Sequence, residues 1–257
     1  FSDKNVGTGK TVTLTSSAAG ADVSNYAFTH QTSATADITA KVLSVTASAA
    51  DKVYDGTTDA TITMGALSGF VGSETVTAGG TGAFDSANAG SRTVTVAYTL
   101  ANGDNGGLAS NYSLADTTHS ANINKATLTV QADNDAKFVT QADTAGFAGV
   151  SYSGFVNGED ATDITTGGLN ITRSNVGTDT PGVYNDVLQA SGLTANNYAF
   201  NYVNGDYTIV PSNQLLVRVN DISNTYGTVT SYTIDSASYW NGSAEVALGG
   251  GTGSITN

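Results

Sequence analysis

The sequence contains no cysteine, two prolines, one methionine and one tryptophan in 257 residues. Without cysteine there is no disulfide framework and no thiolate metal site. Positive charge is scarce too: nine Lys and Arg stand against 22 Asp and Glu, for a net charge of −13. So few cations, thinly spread, cannot displace the counterions of a phosphate backbone, which sets nucleic-acid binding aside. No apolar run approaches the ~20 residues that a membrane-spanning helix requires. No basic segment with an apolar stretch behind it opens the sequence, so no secretory signal is expected in it. Glutamate is limited to Glu74, Glu159 and Glu245, and Leu and Lys are sparse, so the good helix formers are missing.

What is abundant points the other way. Thirty glycines, with many Asp, Asn, Ser and Thr, favour turns and weaken helix interiors. The Val, Ile, Tyr and Phe that are present suit strands. The expected class is all-β.

The sequence is periodic. Asn25-Tyr26, Asn111-Tyr112 and Asn197-Tyr198 follow one another at intervals of 86 residues. Each pair opens a stripe of alternating apolar residues: Tyr26 and Phe28, Tyr112 and Leu114, then Tyr198, Phe200 and Tyr202. Period two is the mark of a half-buried strand. Ile38, Ile123 and Ile209 come next, and then Leu43 and Val45, Leu128 and Val130, Leu215 and Val217. Gly69-Phe70-Val71 with Glu74 recurs as Gly154-Phe155-Val156 with Glu159. Tyr54-Asp55-Gly56, Phe138-Val139-Thr140 and Tyr226-Gly227-Thr228 hold equivalent places, and the segment from Phe1 matches the one from Phe84.

The unit is about 85 residues long. Residues 42–126 and 127–211 read as complete modules, 1–41 as the second half of another, and 212–257 as the first half of a further one. Short strands are expected at Thr11–Thr15, Thr93–Tyr98, Thr127–Val130, Tyr207–Val210 and Leu216–Val219. Asn204-Gly205 reads as a hairpin turn between Tyr202 and Tyr207. Regularly spaced strands with Gly and Asn turns predict small β-sandwich-like modules, or alternatively β-grasp-like ones, strung into an elongated rod.

Val53-Tyr54-Asp55-Gly56-Thr57-Thr58, Ser68-Gly69-Phe70-Val71, Phe84 with Asn88-Ala89-Gly90, and Ser110-Asn111-Tyr112 together resemble the YDG repeat of large bacterial surface adhesins. Filamentous-haemagglutinin-like proteins exported by two-partner secretion are among these. Residues 127–211, with Ser153-Gly154-Phe155-Val156-Asn157-Gly158-Glu159-Asp160, resemble the related MBG repeat, although Phe138-Val139-Thr140 departs from its pattern. Tyr226-Gly227-Thr228 is similar to the tyrosine-glycine variant. The resemblance implies a stalk segment of a secreted or outer-surface bacterial adhesin, serving cell adhesion or biofilm formation.

Reactive chemistry has little to stand on. Gly7-Thr8-Gly9-Lys10-Thr11 imitates the end of a phosphate-binding loop, but Lys4 occupies the place of its first glycine and a strand is expected after it instead of a helix. Asp55 with Asp59, Asp133 with Asp135, and Glu159, Asp160 and Asp163 offer hard oxygens of the kind a structural Ca²⁺ takes. The same residue types also serve turns, and no ligand set is assigned. His30 and His119 fall in different modules, which disfavours a zinc site and a catalytic histidine. No catalytic residue and no cofactor is expected. Tyr239 and Trp240 are the aromatics best placed for exposure to a glycan, and sequons occur at Asn111, Asn170 and Asn241.

Three functions follow. The first is a non-catalytic stalk whose partners are neighbouring modules of the same long chain. The second is a module binding an extracellular polysaccharide or a host or cell-surface glycan or receptor. The third is a filament subunit whose half modules complete those of other copies, head to tail.

Overall fold

Alternation of buried and outward residues builds the strands. Along Ala126–Ala132, Ala126, Leu128, Val130 and Ala132 are buried, while Thr127, Thr129 and Gln131 turn away. The computed structural model describes residues 1–163, 167–219, 231–248 and 254–256. Its regular structure is β-strand with three short 3-10 turns among the described residues, so the class is all-β. The chain forms two compact units, residues 1–124 and 125–257. Tyr226-Gly227-Thr228 lies outside the described residues.

In unit 125–257, the central strand Ala126–Ala132 pairs antiparallel with Val150–Ser153 and parallel with Tyr198–Val203. A second sheet has the order Asp135–Phe138, Gly205–Val210, Gly182–Ser191, Asn170–Arg173. Val130 and Ala132 of the first sheet meet Ile171, Leu188, Ala190, Tyr207 and Ile209 of the second in one core. Two facing sheets with a core between them make a small sandwich. Leu215–Val219 and Ser231–Trp240 pair antiparallel, with Glu245–Ala247 and Ser254–Thr256 added to the latter strand. This sheet is joined to the sandwich through Phe138, Val210 and Leu216.

In unit 1–124, Val76–Phe84, Gly90–Asn102 and Thr117–Asn124 form the body of a five-stranded sheet, edged by Asp59–Ala60 and Lys52–Val53. A second layer consists of short ladders: Lys41–Val42 parallel to Tyr112–Ser113, and Ala47–Ala49 against Ile62–Met64. Leu43, Val76 and Tyr112 pack between the layers with Leu67, Phe70, Leu100 and Leu114. Gly7–Thr13 and Ser33–Ile38 add an antiparallel hairpin.

The pairing registers repeat. Ser44 faces Ser68, Thr129 faces Ser153, and Leu216 faces Ser238. Gly7 faces Ile38, Gly90 faces Ile123, and Gly182 faces Ile209. Each expected strand falls on or beside an observed one, with Thr11–Thr15 shifted to Gly7–Thr13.

Two expectations fail. Asn204-Gly205 is not a hairpin turn: Tyr198–Val203 and Gly205–Val210 lie in different sheets, and the chain passes from one layer to the other between them. Glycine is required there for room, since a Cβ at Gly205 would sit 2.3 Å from the Ala132 carbonyl oxygen. Tyr26 and Phe28 do not form a half-buried strand; both are exposed and outside regular structure. The contacts that bury Tyr112 and Tyr198 come from loops about 40 residues earlier in sequence, and residues 1–25 supply no counterpart to those loops.

Candidate functional site

The recurring feature is a tyrosine closed onto a loop. A 3-10 turn, Ala109–Asn111, delivers Tyr112 into extended backbone, and Val23–Asn25 delivers Tyr26 in the same way. The Tyr112 hydroxyl donates to Glu74 Oε2 at 2.8 Å and accepts the Val71 amide at 3.1 Å. The Tyr198 hydroxyl donates to Glu159 and accepts the Val156 amide at 3.1 Å. In both cases an aromatic edge completes the contact: Phe70 lies edge-on to Tyr112 with centroids 6.0 Å apart, and Phe155 edge-on to Tyr198 at 5.7 Å. Lys4 and then the Tyr112 hydroxyl hold the Glu74 carboxyl below the usual carboxylate range. Burial, and then the Glu159 partner, raises the Tyr198 phenol.

The third glutamate has a related place. Ser238, Trp240 and Glu245 follow Ser153, Phe155 and Glu159 by 85 or 86 residues. Trp240 is half-buried, its ring 6.1 Å from that of Phe138. Its expected exposure is therefore corrected: it joins the last sheet to the sandwich. The 85-residue interval from Phe70 to Phe155 to Trp240 was the available signal. Glu245 accepts from Ser238 Oγ at 2.5 Å, from Arg218 at 3.0 Å and from Gln141 Nε2 at 3.1 Å. Arg218 also donates to the Ala136 carbonyl at 2.8 Å. Burial works to raise the Glu245 carboxyl, and these donors outweigh it, so it sits below its ordinary value.

Glu74 serves the hairpin that carries Lys4 in the same manner. Lys4 Nζ lies 2.5 Å from Glu74, and the Asn111 side chain accepts the Val6 amide and donates to Asn5 Oδ1, each at 2.9 Å. In the two glutamate loops just described, one carboxylate thus closes its own repeat and accepts a donor from the strand set before it.

The Tyr54-Asp55-Gly56 triplet has a backbone purpose. Tyr54 is buried and its amide donates to the Asn124 carbonyl at 2.8 Å. Asp55 accepts from Lys52 Nζ and from the Thr57 amide, which fixes the turn. Gly56 has φ 77°. In the other repeat Phe138 is buried in the same way, its neighbour Val139 donates to Val210 O at 2.9 Å, and Thr140 holds φ 74°. The backbone shape persists where the motif departs.

A buried ionic group sits beside this second turn. Lys137 Nζ lies 2.7 Å from Asp179 and 3.0 Å from Asp143, and Arg173 Nε is 3.0 Å from Asp143. The Arg173 guanidinium stacks over Tyr207 at 4.9 Å. Burial works to raise the Asp143 carboxyl, but Lys137 and Arg173 outweigh it and hold it low. These groups tie the loop after Phe138 to the sandwich.

The other candidates are occupied by structure. Gly7-Thr8-Gly9-Lys10-Thr11 lies within a strand, and Lys10 pairs with Asp3. Asp160 accepts from Thr162 in its own turn, and Asp135 accepts the Ala136 amide. Among the described residues no group of three or more His, Asp or Glu is arranged to hold a metal ion. His30 meets Ser16 and His119 meets Thr117, and no carboxylate orients either ring among the bonds described. Asn241 caps its own turn through Ser243 and Ala244.

Sheets repeated in one register, each complete copy closed by the same tyrosine and glutamate, define a tandem-repeat all-β protein. The chain carries, in tandem, a YDG domain at residues 39–119 and an MBG domain (YGX type) at residues 128–208, which are repeat domains of adhesin-like proteins. Neither a curated protein nor a solved structure matches it. Among the described residues no helix is long and apolar enough to cross a membrane.

Proposed function

We propose that the chain is a non-catalytic stalk segment of a bacterial adhesin, secreted or displayed on the outer surface, and that it supports cell adhesion or biofilm formation. The observation that carries this reading is what repeats. The Tyr–Glu closure, the buried Tyr54 and Phe138, and the pairing registers all recur, and each is a scaffold feature. The histidines, by contrast, stand at unrelated positions. A stalk gains length by adding modules whose stabilities sum with their neighbour contacts. Its neighbours would be further repeats of the same long chain, and a two-partner export route would suit a chain free of cysteine. The negative charge, spread over several modules, favours solubility.

Two measurements test this. Antibodies raised against the chain should label intact, unpermeabilised cells of the bacterium that makes it. The 257-residue chain should also give no saturable signal on an array of extracellular and host glycans. Saturable micromolar binding would replace the stalk with the glycan-binding reading.

A further inference from the structure

Two apolar faces are open in this chain, and each has covered counterparts elsewhere in it. The first lies on Leu215–Val219. Leu215 and Val217 point to one side of this strand and are 57% and 44% exposed, while Leu216 on the other side is buried against Phe138 and Val210. The shared register of Leu216–Ser238, Thr129–Ser153 and Ser44–Ser68 makes Leu215 the counterpart of Leu128 and Leu43. Those two leucines are 0% and 3% exposed. Leu215–Val219 is also an edge strand, paired on one side only among the described residues.

The second face carries Tyr26 and Phe28. Tyr26 is 71% exposed, against 5% for Tyr112 and 3% for Tyr198. The hairpin beside it repeats the register of the complete repeats at Gly7–Ile38, but Val12 and Ile38 on its inner side are only half-buried, where Val94 and Ile123 are fully buried.

The complete repeat gives the way these faces fit. Its strand bearing Leu128 lies parallel to the strand bearing Tyr198, with Ala126 opposite Tyr198 and Leu128 opposite Phe200. We propose that a second copy of this chain covers the open face in the same register: Asn213 opposite Tyr26 of the second copy, and Leu215 opposite its Phe28. The contact adds a strand to a free edge and buries both apolar faces, so the copies associate head to tail. Because the interface is not self-complementary, association continues beyond the dimer. The proposal rests on the repeat-stalk reading only for its biological meaning; a monomeric chain would overturn the contact and leave that reading standing.

Sedimentation velocity of the full chain, from low to high micromolar concentration, tests it. Species should grow with concentration. Tyr26→Asp and Leu215→Asp, both at exposed positions, should each abolish that growth with the circular dichroism spectrum unchanged. An equimolar mixture of the two variants should stop at a dimer, since it retains a single usable pair of faces. Register is read separately by cross-linking: with no native cysteine, Phe28→Cys mixed with Leu215→Cys should form a disulfide dimer, and Phe28→Cys mixed with Val42→Cys should not. A chain that stays monomeric throughout, assemblies indifferent to both aspartates, or equal cross-linking at Val42 would each overturn the proposal.

Discussion

The Tyr112 hydroxyl donates to the Glu74 carboxylate at 2.8 Å across 38 residues of sequence, and the same oxygen accepts the Val71 amide. Tyr198 and Glu159 repeat the arrangement in the second complete repeat. One phenol thereby holds a loop that no regular strand secures.

Removing that oxygen should loosen the loop. Tyr198→Phe keeps the ring against Phe155 but leaves the Val156 amide without its acceptor, and should cost about 1–2 kcal/mol. Tyr112→Phe should act in the same direction in its own unit. Urea unfolding of each variant checks both, and unchanged midpoints would show that the closure is ornamental to stability.

The turn at Thr140 should be improvable. A β-branched residue at φ 74° is strained by roughly 1–2 kcal/mol, part of which glycine's greater loss of chain entropy would offset. Thr140→Gly is therefore expected to stabilise by up to about 1 kcal/mol, whereas Gly56→Thr at φ 77° should destabilise. Thermal unfolding of the two variants should shift in opposite directions.

Asp143 faces two buried cations. Asp143→Asn leaves Arg173 and Lys137 short of compensation and should cost about 3 kcal/mol. Chemical denaturation of the full chain measures it, with loss of the Arg173–Tyr207 stacking visible in tyrosine fluorescence.

Acid should destabilise both units. The Glu74, Asp143 and Glu245 carboxyls lie below their ordinary values in the folded protein. A carboxyl depressed by folding contributes stability that is fully present above its unfolded pKa and lost as pH falls through the folded one. The melting temperature should thus fall as pH drops below the ordinary carboxylate range. Glu74→Gln and Glu245→Gln should each flatten that slope. An unaltered pH profile would contradict the assignment.

Arg218 ties the last sheet to the sandwich through the Ala136 carbonyl and Glu245. Arg218→Ala should speed amide exchange in Leu215–Val219 and Ser236–Trp240 while leaving Ala126–Ala132 protected. Equal protection throughout would place the coupling in the Phe138–Trp240 contact alone.

Much of this was legible in the residues. The Asn-Tyr intervals marked the two closures, and the alternation in Leu128–Val130 marked a core strand. The same marker misled at Tyr26, because an aromatic is buried only if something lies over it. Asn204-Gly205 carried the chemistry of a hairpin turn, yet the neighbouring strands find better partners in Ala126–Ala132 and Asp135–Phe138. Trp240 stood at the recurring aromatic position, but its packing on Phe138 joins residues about 100 apart.

By itself, then, the sequence determined an all-β chain with a period of about 85 residues, because turn chemistry and period-two alternation are local. Tertiary structure decided the rest: the passage of each strand from one sheet to the other, the choice of Glu74 and Glu159 as tyrosine partners, and which members of each repeated set are covered. Those outcomes depend on which distant segments pack together, and burial is a property of such contacts, not of the residue alone.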